Sequence, residues 1–129
     1  MVGGTGGRSA CPVPAELDHN PGMLYEYRCY EAVPGRMPDL NRRFRDLTIR
    51  IFERHGIEQV GFWIADVGTS NQLHYILRFQ DAADRASRWA AFQADEEWKQ
   101  GRAASEADGP LVARIVNQFW SPTPYSAAR

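Results

Sequence analysis

Three side chains of complementary chemistry stand at alternate positions in one aromatic-rich stretch: Glu26, Arg28 and Tyr30 of MLYEYRCYE. Alternate residues of an extended strand share a face. One side of this stretch therefore carries Leu24, a carboxylate, a guanidinium and a phenol, and the other carries Tyr25, Tyr27 and Cys29. A guanidinium can hold an anionic oxygen and a carboxylate can move a proton, with the phenol lining the same wall. In an apolar cavity desolvation would raise the pKa of Glu26 while the charge of Arg28 would lower it, and the balance decides whether the carboxylate takes a proton. The purely structural alternative is a buried ion pair between residues about 7 Å apart along the strand.

Other candidates lie further along the chain. His74 is the natural general base by residue type. Its neighbour Tyr75 must face the opposite side of the strand. By pattern Tyr75 is expected to face a cavity and His74 to sit under helices, hydrogen-bonded and inert. Trp63 and Trp120 can form the apolar walls of a ligand pocket or be plain core, and Gln118 is a polar candidate contact beside Trp120. His19 lies near the N-terminus. His55 closes the first helix, where a cation suits the negative helix end. No metal triad is visible, and neither a metal nor a cofactor is expected. The arginines of the first helix and the acidic run Asp95, Glu96 and Glu97 read as solvated faces.

The elements that must position these residues follow from period and punctuation. Residues 1–22 hold five glycines and three prolines without an apolar period and read as a flexible tail, with the domain spanning 23–126. The GGTGG run in this tail lacks the Lys-Ser/Thr and the preceding strand of a phosphate loop. The first strand stops at Val33-Pro34-Gly35. A helix then begins near Pro38, with Leu40, Phe44, Leu47 and Ile51 at helical spacing and Gly56 as its left-handed stop. Two antiparallel strands, 57–67 and 72–79, flank a four-residue GTSN link. Asp81 caps a helix through Gln93 on which Ala82, Arg85, Ala86, Trp89 and Phe92 recur, and Asp95 opens a shorter helical piece that ends before Gly109-Pro110. LVARIVNQFW is the last strand. The order β-α-β-β-α-β folds into a ferredoxin-like α+β sandwich, a four-stranded antiparallel sheet with the helices on one face.

Such a sheet should alternate apolar and polar residues, because its second face meets water. These strands are apolar on both sides: Val60, Phe62 and Ile64 oppose Trp63 and Ala65, and Ile115 and Phe119 oppose Val116 and Trp120. A bare second face would exceed the few hundred Å² that monomers tolerate. A homodimer is expected, its two sheets closing into a dimeric α+β barrel. Helices pack more readily on an uncharged side, so Glu26, Arg28 and Tyr30 are expected to point into the chamber between the sheets.

The chain has 129 residues, 15 Lys and Arg against 16 Asp and Glu, and a net charge of −1, which disfavours nucleic acid and anionic membrane partners. No stretch approaches the roughly 20 apolar residues of a membrane span, and no secretory signal is evident. Cys11 and Cys29 show no metal or redox spacing, which fits a reducing, cytoplasmic location.

Taken in order, YEYRCY with Pro34-Gly35, His55-Gly56, Gly61-Phe62-Trp63, Gly68 with Asn71-Gln72, Asp84-Arg85, Glu97-Trp98 and the closing Pro122-Thr123-Pro124-Tyr125-Ser126 resemble the NIPSNAP family. The resemblance runs from about Met23 to Ser126 and implies a dimeric α+β barrel. Mitochondrial relatives are associated with signalling and trafficking. Similar barrels outside the family include cofactor-free monooxygenases, cyclases, isomerases and haem enzymes. The matching polar positions are Glu26, Arg28 and Tyr30. Tyr27 stands where an aliphatic residue is usual, and Tyr75 where the family often has His.

Two functions from different classes fit these observations. One is a cofactor-independent enzyme or binder of a small, partly apolar molecule, Arg28 holding an anionic oxygen and Glu26 or a histidine moving a proton. The other is a non-catalytic interaction module working through its helical surface. Haem binding is a weaker third reading, because no axial-ligand pattern is evident.

Overall fold

The computed structural model describes residues 22–129; the GGTGG run, Cys11 and His19 lie outside the described residues. Strand β1 (Leu24–Ala32) leads into helix α1, which runs as an α-helical Met37–Arg43, a π-helical Phe44–Thr48 and an α-helical Ile49–Arg54. Strands β2 (Glu58–Trp63) and β3 (Gln72–Phe79), helices α2 (Ala82–Ala94) and α3 (Glu96–Ser105) and strand β4 (Val112–Trp120) follow. The sheet order is β2-β3-β1-β4 and every neighbouring pair is antiparallel. This is the ferredoxin-like arrangement that the order of elements predicts, with α3 as an additional short helix before the last strand.

The punctuation residues act as their chemistry requires. Asp81 accepts from the backbone N–H of Asp84 at 2.7 Å and caps α2, and Asp95 accepts from that of Trp98 at 3.1 Å and caps α3. Gly56 ends α1 at φ +68°, in the left-handed region. The π-helical stretch is the departure from a regular helix. Its wider turn moves the buried stripe round the axis, so that Thr48 and Phe52 join Ile51 in the buried row in place of Leu47, while Arg43, three residues after Leu40 in the preceding α-helical part, is buried beside Phe44. Arg43 is therefore not part of a solvated face.

Two strand readings also change. The predicted 57–67 strand ends at Trp63, leaving residues 64–71 as the connection, where Asn71 takes φ +62°. A bulge between Gln59 and Gly61 slips the alternation. Phe62 pairs with Tyr75 and joins the core, whereas Trp63 pairs with His74 on the other face.

The core lies between the sheet and the helices. Leu73, Tyr75, Leu77 and Phe79 of β3 meet Leu40, Phe44, Ile51 and Phe52 of α1 and Phe92 of α2. Cross-strand register then fixes β1: Tyr30 pairs with Leu73, Arg28 with Tyr75, Glu26 with Leu77 and Leu24 with Phe79. Directly paired residues share a face, so Glu26, Arg28 and Tyr30 lie under the helices. The expectation that they point away, between two sheets, is overturned. The other side of β3 carries His74 and Arg78, and the uninterrupted apolar row of four outweighs the charges on one side of β1.

Candidate functional site

Glu26 is the third residue of β1, with 0% of its surface exposed. Burial alone would neutralise it. Instead it is surrounded by donors: Arg28 Nη1 donates to Oε2 at 2.8 Å, Arg85 of α2 donates to both oxygens at 2.9 Å, and Asn117 of β4 donates to Oε2 at 3.0 Å. Desolvation pushes the carboxyl up, but the hydrogen bonds from Arg85 and Asn117 and the charge of Arg28 outweigh it and hold it below the ordinary carboxylate value. The buried ion pair foreseen as the structural alternative is present, enlarged by Arg85 and Asn117.

Arg28 is the hub. Its Nε donates to the Tyr75 hydroxyl at 2.8 Å and its Nη2 to the Tyr30 hydroxyl at 3.2 Å, and its guanidinium lies 4.5 Å from the centre of the Trp89 ring. Tyr75 and Tyr30 are joined hydroxyl to hydroxyl at 3.0 Å. Tyr75, fully buried, is placed in the core rather than in a chamber between sheets, and burial holds its phenol well above its usual pKa.

Arg28 and Tyr30 also line a cleft of about 440 Å³ between β4 and the helices. Trp89 and Phe92 of α2 and Trp98 of α3 supply its aromatic walls, and Arg43, Arg102 and Glu106 lie along it. Four arginines (Arg28, Arg43, Arg102 and Arg114) and one glutamate contribute to the lining, so its electrostatic bias is positive. Arg43 is only 6% exposed. Its Nη1 donates to Ser105 at 3.2 Å and to Glu106 at 3.1 Å, while its Nε, alone among buried side-chain polar atoms of the described residues, has no partner.

The remaining predicted site residues lie on the opposite face of the sheet. His74 is not beneath the helices: its Nδ1 is 2.7 Å from the Tyr27 hydroxyl, and the Tyr27 ring stacks on Trp120 at 5.1 Å. Trp120 Nε1 donates to Gln118 Oε1 at 2.9 Å, and Trp63 is 50% exposed. The structure thus separates the predicted set into two groups. Glu26, Arg28, Tyr30 and Tyr75 meet under the helices, whereas His74, Trp63, Gln118 and Trp120 stand on the open face with no route to them through the sheet.

The residues that sequence reasoning missed are Arg85, Trp89, Asn117, Arg43 and Trp98. For two of them a signal existed. Arg85 and Trp89 are four apart on the same row of α2 as Phe92, so an arginine on the buried stripe required a carboxylate opposite it. Asn117 carried no comparable signal.

A four-stranded antiparallel sheet with helices on one face and a cleft between them defines the class as a ferredoxin-like α+β domain. Within that class the chain belongs to the NIPSNAP family, whose model matches residues 25–127. A mouse relative, Protein NipSnap homolog 3B, is 25% identical over 80 residues, which is 61% of this chain and 32% of that protein; the match thus spans about a third of the relative's length. The crystal structure of a NIPSNAP family protein of unknown function from Agrobacterium tumefaciens superposes with a TM-score of 0.76 at 29% identity, covering 86% of this chain and 97% of that one. A Caulobacter crescentus protein provisionally assigned as an antibiotic biosynthesis monooxygenase shares the fold, with a TM-score of 0.56 at 9% identity over 79% of this chain and 91% of that one.

Proposed function

We propose that this NIPSNAP domain binds a small, partly apolar molecule in the cleft between β4 and the helices. The observation that carries the reading is the pairing of a buried, fixed guanidinium at the base of the cleft with the three aromatic side chains of its walls. Ligand sites combine apolar lining with a few placed polar groups in this way. Glu26 serves this site as an anchor, since four hydrogen bonds from Arg28, Arg85 and Asn117 keep it ionised. The chemistry available to such a site is stabilisation of negative charge on oxygen, a demand shared by isomerases, cyclases and monooxygenase-type reactions that pass through an enolate. The test is a screen of aromatic fragments with the tryptophan indole resonances as reporters. Shifts concentrated at Trp89 and Trp98 support the reading, and shifts confined to Trp63 and Trp120 reject it.

The same domain is proposed to act as a homodimer through its open face. Val60, Trp63 and Trp120 are 48%, 50% and 42% exposed there, and Tyr27, Ile76 and Val116 continue the surface. A second copy related by a two-fold axis offers the same apolar face in return. Sedimentation velocity tests this directly: a single-subunit mass at micromolar concentration contradicts it. The interaction-module alternative finds less support, because the exposed arginines of α1 are paired within the chain, Arg42 with Asp39, Arg45 with Asp46, Arg50 with Glu97 and Arg54 with Asp95 and Glu97.

A further inference from the structure

Resting on the cleft reading, we infer that the cleft is a receptor for an oxyanion on an aromatic body, and that Tyr30, rather than Glu26 or a histidine, presents the hydrogen-bond donor to it together with Arg28. The inference comes from following each proton through the hydroxyl chain. Arginine can only donate, so the Tyr75 hydroxyl accepts from Arg28 Nε at 2.8 Å, and the Tyr30 hydroxyl accepts from Arg28 Nη2 at 3.2 Å. One hydroxyl proton then lies between Tyr75 and Tyr30, 3.0 Å apart, and one is left over. If Tyr30 donated to Tyr75, the unused proton would sit on Tyr75, which is fully buried and makes no other hydroxyl contact. An unmet buried donor is costly. With Tyr75 donating to Tyr30, the unused proton sits on Tyr30, whose side chain lines the cleft.

Tyr30 then accepts twice within the protein and has its O–H free for the cleft. Arg28 contributes beside it: of its five N–H groups, three are committed to Tyr75, Glu26 and Tyr30, which leaves two. Both groups are held rigidly. The Tyr30 ring packs edge-on against Phe44 at 5.6 Å and Tyr75 at 5.4 Å, and the Arg28 guanidinium is pinned on Trp89. Spare donors on Tyr30 and Arg28, both lining the same cleft, favour a carboxylate, phenolate or enolate oxygen over a neutral amide carbonyl. The positive lining strengthens the selection, and the indoles of Trp89 and Trp98 take the attached ring.

The experiment compares 2-naphthoate with neutral 2-naphthamide, using the full chain, its Tyr30→Phe variant and the Trp89 and Trp98 indole signals. The expected result is binding of the carboxylate in preference to the amide, and a loss of at least about tenfold in carboxylate affinity in Tyr30→Phe, the cost of a hydrogen bond to a charged group. Equal affinity of the variant, or equal binding of carboxylate and amide, overturns the oxyanion inference while leaving the cleft reading standing. Absence of any indole shift with either compound up to millimolar concentration overturns both. Should the variant not fold, the Tyr30 ring-carbon signal of the unmodified chain decides: a shift with the carboxylate and none with the amide supports the inference, and no shift defeats it.

Discussion

Arg85 holds both oxygens of Glu26 at 2.9 Å, joining the second helix to the first strand across 59 positions of sequence. With Arg28 on the same carboxylate at 2.8 Å, one buried negative charge organises two positive ones. Removing a partner from such a cluster leaves an uncompensated buried charge. Glu26→Gln is expected to destabilise the domain by about 3 kcal/mol. Chemical denaturation with an unchanged slope measures it, and a loss below about 1 kcal/mol would mean the cluster is solvated in solution.

The same carboxylate predicts acid sensitivity. Its folded-state pKa is lowered from an ordinary value of 4.5, so below that value the unfolded chain binds more protons than the folded one. Its stabilisation is complete above about pH 4.5 and is lost as pH falls through the folded value. Asp95 acts in the same sense, held well below its ordinary 3.8 by the hydrogen bonds of His55 Nε2, the Trp98 backbone N–H and Arg54. Asp95→Asn keeps a competent helix cap but removes a titrating group, so its stability profile should be flatter than that of the unmodified chain below about pH 4. Parallel acid limbs in the two proteins would contradict this.

Gly56 tests the stop of the first helix. At φ +68° any side chain is strained, and a Cβ there would stand 2.1 Å from Arg88 Nη1, which donates to the His55 carbonyl at 3.0 Å. Gly56→Ala is expected to cost about 1–2 kcal/mol from backbone strain, with the displaced Arg88 adding to it. A thermal midpoint unchanged from the parent would refute this.

Trp63 tests the open face. Its ring lies over Gly61, where an added Cβ would come within 2.7 Å of it. Trp63→Glu should place a charge in the proposed dimer interface and yield a folded single subunit by sedimentation. Gly61→Ala, which only shifts the indole, should weaken association less. A Trp63→Glu protein that remains dimeric would move the interface elsewhere.

Much of the architecture was already present in local pattern. Asp81, Asp95 and Gly56 mark helix ends through chemistry that needs no distant partner, and the strand periods give the element order and hence the sheet. The site was legible only in part. Glu26, Arg28 and Tyr30 were identifiable as a group, because alternation along one strand places them on one side whatever surrounds it. Arg43 reads as a surface residue by its charge, although it stands three residues after Leu40 on the buried side of the helix, and nothing in the spacing of Leu40, Phe44 and Ile51 announces the π-helical turn that brings Thr48 into the core in place of Leu47.

Which way that group faces was a different matter. A strand's alternation defines two sides without naming the inner one, and the preference for burying uncharged side chains pointed β1 the wrong way. The decision came from β3, whose row of Leu73, Tyr75, Leu77 and Phe79 is buried as a unit and carries β1 with it through backbone hydrogen bonding. Arg85 and Asn117, brought from distant segments, then made the buried charge tolerable. The sequence by itself determined the elements, their order and the chemical inventory, because those depend on near neighbours. The tertiary structure alone decided which face became the site, because that depends on register and on partners supplied by other strands and helices.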